Sequence, residues 1–595
     1  MPLDGLFLYG ICRELNDKLK QGRIEKIYQP AREEIILAIS KPGAKYRLVL
    51  NAGAENARVH LTGTPRPNPV SPPMFCMLLR KHLEGGRIIE FRQSGLDRVV
   101  DIRVDCRDEL GQPLVKSLNC EIMGRHSNII LISRAGDVIL DGIRRYSHSV
   151  SRHREVLPGR IYIPPPDQGK TDPFSLTEDH FRELVLSGKL DGSLAAAVQR
   201  SLDGFSIPTC KELVRIAGID SEMLLEHCGE HEMRTLWQTL QKTMTNIRED
   251  GVRATLLCRP SGKPVDFFAL ETAHREQLQQ IKGAANEIAD SFFTYKLNRL
   301  ELNKEKNQLL SVIKKHSRRI SKKLQLQQKS VADAGEADRY RLSGELLTSY
   351  MHLVEKGMQE IELDNYYAPD GEKVTILLDP QRTGPENSQA YFKRYTKARN
   401  TREASLRMAA LSEEELHYLE GVVSSIDMAQ ATDDLEEIRR ELRGQGYLKE
   451  PVSIPRKSRL KEAQPRSTPL KFLSGDGFTV LVGKNNRQND TLTFKIADEQ
   501  DVWLHTCKIP GSHVIIRTEG REVPLSTLHQ AAALAAHFSR ATGSSNVPVD
   551  YTVRKHVKKP NGSRPGYVIY EKQKTLYVDP ASDIKESGIR SQESE

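Results

Sequence analysis

Two polar clusters near the C-terminal end of the 595-residue sequence carry side chains suited to binding a polyanion. The first cluster follows an apolar run bounded by Gly477 and Gly483, and its members are Lys484, Asn485, Asn486, Arg487, Gln488 and Asn489. Side chains of these types donate to phosphates and to the 2′-hydroxyls of RNA. The pattern favours an RNA contact, and a loop of ordinary turn-forming residues is the alternative.

The second cluster alternates along a predicted strand, which places Asp501, Trp503 and His505 on one face. His513 follows shortly after. An exposed tryptophan beside histidines could stack on a base, whereas a buried one would pack among polar neighbours that satisfy it, and the sequence leaves both open. Three lysines extend the basic surface of this region: Lys555, Lys558 and Lys559.

Two short motifs match catalytic patterns without supporting catalysis. Residues 227–231 fit the HxxEH metal-binding spacing, but Gly229 weakens the helix on which both histidines would have to lie. Residues 477–484 resemble a phosphate-binding loop, yet that loop has one residue too many, and Asn485 stands where a Ser or Thr would reach magnesium. We therefore expect neither a metal ion nor a cofactor.

Two further polar motifs lie in the N-terminal part. Asp97 and Arg98 stand at the entry to a predicted strand, directly after Gly95 and Leu96. Another predicted strand runs into a tight polar turn, and the candidate residues there are Glu121, Met123, Gly124, Arg125, His126, Ser127 and Asn128. Hairpin-turn chemistry alone would also account for both motifs.

A long helix is predicted from Asn286 to Lys329. Apolar residues recur there at alternating spacings of four and three, and no Gly or Pro interrupts the segment. At 1.5 Å per residue such an arm would reach roughly 65 Å. A second apolar pattern from Leu416 to Leu442 predicts the partner helix of an antiparallel coiled coil.

The first arm of this coiled coil is strongly basic. Its basic face comprises Lys314, Lys315, Arg318, Arg319, Lys322 and Lys323. A solvated helix surface is one interpretation, and a rod that lies along phosphates is the other, which we favour.

The chain as a whole is predicted to be an α+β multidomain protein. The predicted domains are residues 1–170 (α+β), 171–280 (helical), 281–450 (coiled coil with an insertion at 335–390), 451–469 (linker), 470–580 (a second α+β domain) and 581–595 (tail). In the helical domain, two short helices flank a turn at Gly204, which predicts either a helix-hairpin-helix whose amides reach a phosphate or a plain αα-hairpin. In the last α+β domain, a helix is predicted from Thr527 to Ala541 with Ser526 as its N-cap.

The composition favours a nucleic-acid partner. The formal net charge is +9, and Lys and Arg are clustered, which matters more for polyanion binding than the total. The eight cysteines are far apart and form no CxxC pair, which is typical of reduced intracellular thiols. Charges interrupt the apolar run at the N-terminus, and no apolar stretch is long enough to cross a bilayer, so we expect a cytoplasmic protein without a membrane partner.

Over nearly its whole length the sequence resembles the NFACT family of ribosome-associated proteins. The resemblance rests on the Asp97-Arg98 pair, residues 121–128, Gly344-Glu345-Leu346-Leu347, the run from Glu386 to Tyr395, and segments 483–490, 501–505 and 548–552. It implies an N-terminal domain similar to that of formamidopyrimidine-DNA glycosylases, a helix-hairpin-helix unit, a coiled-coil middle and a C-terminal RNA-binding domain.

The resemblance also implies a function. Bacterial members bind large ribosomal subunits that carry a stalled peptidyl-tRNA and recruit alanyl-tRNA, so that the nascent chain receives an untemplated alanine tail that marks it for proteolysis. Asp97, Arg98 and the turn at 121–128 would then handle tRNA. The C-terminal clusters and lysines would contact ribosomal RNA or the peptidyl-tRNA. Peptide-bond chemistry would belong to ribosomal RNA, so we expect no enzymatic activity.

Two rival functions follow, one from the similarity to formamidopyrimidine-DNA glycosylases and one from an older name of the family. Glycosylases of that fold attack with the amine of an N-terminal proline, which Pro2 would supply after removal of Met1. However, Leu3 replaces the acidic residue expected next, and the zinc-finger cysteines are missing. A surface adhesin for fibronectin is the other rival, and the lack of a recognisable export signal argues against it.

Overall fold

The structure, a computed structural model, describes residues 3–107, 111–149, 153–187, 191–272, 277–368, 372–449 and 468–581. The chain divides into two compact units, Met1–Arg299 and Leu300–Glu595. Both contain helices and sheets, which confirms the predicted α+β class. Pro2, most of the predicted linker and nearly all of the predicted tail lie outside the described residues.

The first unit is built on a nine-stranded antiparallel sheet with the order β4-β3-β2-β1-β5-β6-β7-β8-β9. The strands are β1 Arg23–Ala31, β2 Glu34–Lys41, β3 Ala44–Asn51, β4 Arg58–Leu61, β5 Arg87–Gln93, β6 Val99–Arg107, β7 Pro113–Glu121, β8 Asn128–Ser133 and β9 Val138–Gly142. Alternation decides which face is buried: Val100, Ile102 and Val104 of β6 are fully buried, whereas the residues between them are partly exposed.

Helices α1 (Gly5–Leu19) and α2 (Met74–Leu83) supply the other side of this core. The carboxylate of Asp4 caps α1 by accepting from the amide of Phe7 at 3.0 Å. The same carboxylate accepts from the Ser206 and Thr209 hydroxyls, at 3.0 and 2.5 Å. One buried acid therefore ties the start of α1 to the helical part of the unit.

That helical part comprises α3 Glu178–Leu186, α4 Leu194–Ser201, α5 Ile207–Ile216 and α6 Glu230–Asp250. The prediction that the helical part continues to residue 280 is wrong. After α6, a three-stranded antiparallel sheet follows, formed by β10 Ala254–Cys258, β11 Pro264–Phe268 and β12 Gln279–Gly283. Strand β10 is buried along its whole length. A strand without a wet face lacks the alternation by which strands are recognised in a sequence.

A 49-residue helix, α7 (Ala285–Asp333), matches the predicted coiled-coil arm. In the second unit, its partners are α9 (Gly384–Met428) and α10 (Thr432–Gly444). The Lys306 ammonium donates to the carbonyl of Asp427, and Gln327 accepts from the Ser412 hydroxyl, so that α7 and α9 run antiparallel. The apolar seam comprises Leu309, Ile313, Ile320, Tyr418, Leu419, Val422, Ile426, Leu435, Ile438 and Leu442.

Between the two arms, helix α8 (Ala337–Ser349) packs on a hairpin formed by β13 (Glu360–Asp364) and β14 (Lys373–Leu377). Helix α9 starts immediately afterwards, with Thr383 as its N-cap. The Glu386 carboxylate accepts from the Thr383 amide at 2.8 Å, which completes a capping box.

The C-terminal domain is a six-stranded antiparallel sheet with the order β15-β16-β18-β17-β19-β22, accompanied by a two-stranded ribbon, β20-β21. Its elements are β15 Leu470–Leu473, β16 Thr479–Val482, α11 Asn486–Thr491, β17 Val502–Thr506, β18 Val514–Ile516, α12 Leu525–His537, β19 Val547–Val553, β20 Val557–Lys558, β21 Ile569–Tyr570 and β22 Lys574–Val578. The alanines of α12 pack closely on the sheet.

Helix α12 begins two residues earlier than predicted and ends at His537. Ser526 is not its N-cap, because Ser526 lies inside the helix and Pro524 occupies the N-cap position. The Ser526 and Thr527 hydroxyls both donate to the carboxylate of Asp476, at 2.6 and 2.7 Å. Across the part of the chain that the structure describes, no helix is both long and apolar enough to span a bilayer.

Candidate nucleic-acid interface

The two N-terminal motifs lie side by side in the first unit. Asp97 and Arg98 end the turn between β5 and β6, and the carbonyl of Arg98 accepts from the amide of Ile122 at 2.8 Å. Ile122 directly follows β7, at the start of the polar turn at 121–128. Antiparallel pairing of β6 with β7 therefore brings two motifs together that are more than 20 residues apart in sequence.

The side chains of Asp97 and Arg98 are both partly exposed. Within the described residues, the Arg98 guanidinium takes part in no hydrogen bond and no ion pair. Burial raises the pKa of Asp97, and the nearby carboxylates of Asp203 and Asp167 raise it further, while Arg98 lowers it. An arginine without an internal partner next to a carboxyl group is an arrangement that can bind a phosphate or a base edge.

The loop that carries this pair is held from both sides. The Asp203 carboxylate accepts from the amide of Leu96 at 3.2 Å, and the Gln93 side chain donates to the carbonyl of Asp97 at 2.8 Å. The local sequence does not reveal the support from Asp203, because this residue comes from a distant helical turn. Backbone amides of this turn are already hydrogen-bonded within the protein. The Gly204 amide donates to the Asp203 carboxylate, and the Ser206 amide donates to the Asp4 carboxylate. The arrangement favours the plain αα-hairpin over a phosphate-binding one.

The polar turn at 121–128 divides into buried and exposed residues. Arg125 and His126 are exposed, and Met123 and Gly124 are partly exposed. Gly124 has φ of +60°, a left-handed conformation that favours glycine. These four residues form the accessible part of the predicted tRNA contact.

Three predicted contact residues of the same turn are buried, so their side chains cannot reach RNA in this fold. Glu121 is fully buried and paired with Arg154. The Ser127 hydroxyl accepts from the amide of Met123 at 2.8 Å, and the Asn128 side chain donates to the carbonyl of Arg144 at 2.9 Å. The prediction that Glu121, Ser127 and Asn128 contact tRNA directly is therefore wrong. Their side chains shape the turn instead.

The cluster at 484–489 is also mostly buried, because it packs against α10. The Asn485 and Gln488 side chains donate to the Glu437 carboxylate, at 2.8 and 3.1 Å. The Asn486 side chain donates to Glu441 at 3.0 Å.

Around the same segment, the Lys484 ammonium lies 3.4 Å from the Asp434 carboxylate, and the side-chain Oδ1 of Asn489 accepts from the backbone amide of His513 at 3.1 Å. Hydrogen bonds to acids of α10 and to the His513 backbone therefore hold most of these polar side chains inside the fold. Arg487 alone of the six is exposed.

Trp503 is fully buried, so the interpretation that it stacks on an RNA base is wrong. Its ring lies among His505, His513 and Tyr570, with ring centres 5.8, 5.2 and 4.8 Å away. The alternative of a buried tryptophan holds, although the indole nitrogen donates to no partner within the described chain.

Two neighbours of Trp503 that were also predicted to bind RNA are structural as well. Asp501 is 1% exposed and accepts from the amide of Thr518 at 2.9 Å. His513 is 2% exposed, and its Nδ1 lies 2.8 Å from the Thr493 hydroxyl. His505 is only partly buried and lines a cavity.

The basic residues predicted to meet phosphates are on the surface. Lys555, Lys558 and Lys559 are exposed, and Lys559 pairs with Asp490. All six members of the α7 basic face are exposed, and none of them forms an ion pair with any described residue. Unpaired surface cations of this kind are suited to a polyanion.

The two catalytic look-alikes have other structures. His227 lies in a short 3-10 turn and His231 in α6, so residues 227–231 do not share one helix. No cluster of three or more potential metal ligands occurs within the described ranges. Residues 479–482 form β16, so the segment from Gly477 to Lys484 is a strand with its flanks and not a phosphate-binding loop.

Comparison with known proteins adds a family context. Residues 4–461 match the family model described as NFACT N-terminal and middle domains, and residues 469–571 match NFACT protein RNA binding domain. The Rqc2 homolog RqcH of Bacillus subtilis (strain 168) is 37% identical over 586 residues, which cover 98% of this chain and 99% of that protein.

Two further similarities cover parts of the chain. The ribosome quality control complex subunit NEMF of Homo sapiens is 32% identical over 96 residues, 16% of this chain and 9% of that protein. A solved structure of the C-terminal part of the fibronectin/fibrinogen-binding protein from Streptococcus suis is 32% identical, with a TM-score of 0.37, and the match covers 47% of this chain and 96% of that one.

Proposed function

The chain belongs to the NFACT family, and on that premise we propose that it is a quality-control factor that binds stalled large ribosomal subunits. It recognises subunits that still carry peptidyl-tRNA and recruits a charged tRNA, alanyl-tRNA by family resemblance. The nascent chain then receives an untemplated alanine tail that marks it for degradation. A role in ribosome quality control and an RNA partner are supported by the relatives and by the RNA-binding domain model.

The observation that carries the finer proposal is the pairing of the two N-terminal motifs. Arg98 has no internal partner among the described residues, and its loop is held by Asp203 and Gln93. Its carbonyl accepts from the amide of Ile122, at the start of the turn that carries the exposed Arg125 and His126. Such a rigid group of cations and a carboxyl suits a structured RNA loop.

The chain itself performs no covalent step in this proposal. Peptide-bond formation belongs to ribosomal RNA, and the protein contributes by holding the tRNA in position, which converts a bimolecular encounter into a local one. The basic face of α7 and the exposed Arg487, Lys555 and Lys558 supply phosphate contacts that hold the factor on the subunit.

The experiment is sedimentation of affinity-tagged protein from cell lysate through a sucrose gradient, followed by sequencing of the RNA that co-purifies. We expect comigration with free large subunits and enrichment of alanine tRNA over other tRNAs. A protein that stays at the top of the gradient without RNA would overturn the ribosomal assignment. Enrichment of a different tRNA would overturn the choice of alanine.

A further inference from the structure

A cavity of 210 Å³ lies within the second unit, between α9 and the C-terminal domain. Sites for drug-sized ligands usually measure roughly 300–1,000 Å³, so this one suits a single small ring system. Its walls include Glu414, His417 and Gly421 from α9, and Asn486, Asn489, His505, Lys508, Tyr567 and Tyr570 from the other side. No part of the proposed function so far uses this cavity.

Flat rings line the cavity on several sides. Tyr567 is 40% exposed at the cavity wall, and His417 on the opposite helix is also exposed. The ring of His505 is fixed against Trp503, with an angle of 16° between the ring planes. Aromatic and imidazole faces stack on nucleobases without regard to their sequence, because every base has a π-face.

Two buried amides offer hydrogen-bonding atoms to the cavity. Asn486 is 9% exposed and donates through Nδ2 to Glu441, while its Oδ1 accepts from no described residue. Asn489 is 3% exposed and accepts through Oδ1 from the His513 amide, while its Nδ2 donates to no described residue. One free acceptor and one free donor remain, and the edge of a nucleobase presents a matching donor and acceptor.

A cation also lines the cavity. Lys508 is exposed, adopts a left-handed φ of +55°, and forms no ion pair within the described chain. The phosphate that accompanies a base inserted into the cavity would meet this ammonium group. Rings, amide edges and a cation are thus combined at one small site.

From these features we propose that the cavity receives a single unpaired nucleobase of an RNA strand. The inference rests on the proposed function in that it assumes an RNA partner, and it adds the chemical form in which this RNA is read. A base splayed out of a loop or a single-stranded end fits such a site, whereas a base inside a duplex does not.

Gly421 offers a way to fill the cavity from a regular helix. A Cβ at this position would meet the Asn486 amide at 3.6 Å, which is an ordinary contact, and leucine has a higher helix propensity than glycine. Gly421→Leu therefore occupies the cavity while keeping α9. Gly444→Leu is the matched control, because a Cβ there meets nothing within 4 Å.

The probes are single-stranded RNAs of about eight nucleotides made of A, U or C, and an abasic strand of equal length and charge, with the full chain titrated by fluorescence anisotropy. We expect the wild-type protein and Gly444→Leu to bind at least one base-containing strand about tenfold more tightly than the abasic strand. Gly421→Leu should lose this preference and keep its affinity for the abasic strand.

Equal affinity of the wild-type chain for abasic and base-containing strands, or a preference that survives in Gly421→Leu, would overturn the inference. If Gly421→Leu melts well below the wild type, Tyr567→Ala takes its place, since its side chain is exposed. Cosedimentation of the wild-type chain with large subunits is measured in parallel. Its failure would overturn the proposed function, whereas cosedimentation without base preference overturns the cavity assignment alone.

Discussion

Arg154 and Glu121 face each other as a buried, bidentate ion pair, with nitrogen-to-oxygen distances of 2.6 and 2.5 Å. The Tyr162 hydroxyl donates to the same carboxylate at 3.0 Å. Glu121 belongs to a motif by which the family is recognised, yet its partners are all internal. The position therefore fixes the end of β7 and the turn behind it, and Arg125 and His126 are the exposed residues of that turn for which we propose an RNA contact.

Replacing Glu121 with Ala should destabilise the first unit strongly. Removing one partner of a buried ion pair leaves an uncompensated charge and costs about 3–5 kcal/mol. Differential scanning calorimetry of the full chain should show the transition of the first unit at a clearly lower temperature. Arg125→Ala, in the same turn but exposed, is the control and should melt like the wild type. Equal melting of all three proteins would show that the ion pair is dispensable.

Acidification should destabilise the second unit through the buried His513 and the partly buried His505. Burial lowers the pKa of His505 to about 4 and that of His513 well below its usual value. In the unfolded chain both bind a proton near pH 6.5, so the unfolded state holds more protons as the pH decreases. The free energy of unfolding of the second unit is therefore highest above about pH 6.5, and it decreases progressively as the pH falls to about 4.

The measurement is the melting temperature of the second unit between about pH 7.5 and about pH 4. His505→Phe removes one titrating group from the unfolded state, and its melting temperature should decrease less steeply with pH. Parallel curves for wild type and variant would contradict the assignment of a depressed pKa to His505.

Asn486 and Arg487 are neighbours, and only the replacement of Asn486 should lower the stability of the fold. Asn486→Ala removes a hydrogen bond to the buried Glu441 carboxylate, which should cost about 1.5–3 kcal/mol. Arg487→Ala leaves the packing intact and should weaken RNA binding only. Thermal unfolding and RNA titration on both variants separate the two effects. An Asn486→Ala protein as stable as the wild type would contradict the structural role of this side chain. An Arg487→Ala protein that binds RNA like the wild type would contradict the contact role of Arg487.

Neutralising the basic face of α7 should weaken ribosome binding without unfolding the helix. The variant carries Gln at positions 314, 315, 318, 319, 322 and 323, and glutamine is a good helix former. If all six cations meet phosphates, the slope of log affinity against log salt for large subunits should decrease by up to about 4. Gln325→Ala, an exposed position on the same helix, is the control. An unchanged salt slope would mean that this face is only solvated.

Local patterns predicted the framework of the molecule well. The alternating strand β6, the long helix α7 and the partner pattern in α9 and α10 follow from periodicities of two or of about 3.5 residues. Such a periodicity shows which side of a helix or strand is buried, and a short stretch of the chain is enough to recognise it. Strand β10, which is buried along its whole length, has no such period, and its sheet was missed.

The candidate sites were harder to predict because their residues depend on distant partners. Glu121 meets an arginine 33 residues away, and Asn486 a glutamate 45 residues away. Nothing in the segment 484–489 reveals that acids on α10 will cover it. Trp503 likewise shows no sign of burial in its own alternating strand, because both faces of β17 are covered by other elements. Polar side chains in a recognisable motif can therefore serve the fold as well as the ligand.

The most direct test of the account is the C-terminal sequence of a stalled nascent chain. A reporter translated from an mRNA without a stop codon, in cells that lack this protein, is analysed by mass spectrometry after complementation with wild type, with Asp97→Ala plus Arg98→Ala, or with Arg92→Ala as an exposed control on β5. The account predicts alanine extensions with the wild type and the control. It predicts no extension with the double variant, although that variant remains folded. Extensions that persist in the double variant, or that are missing with the wild-type protein, would contradict it.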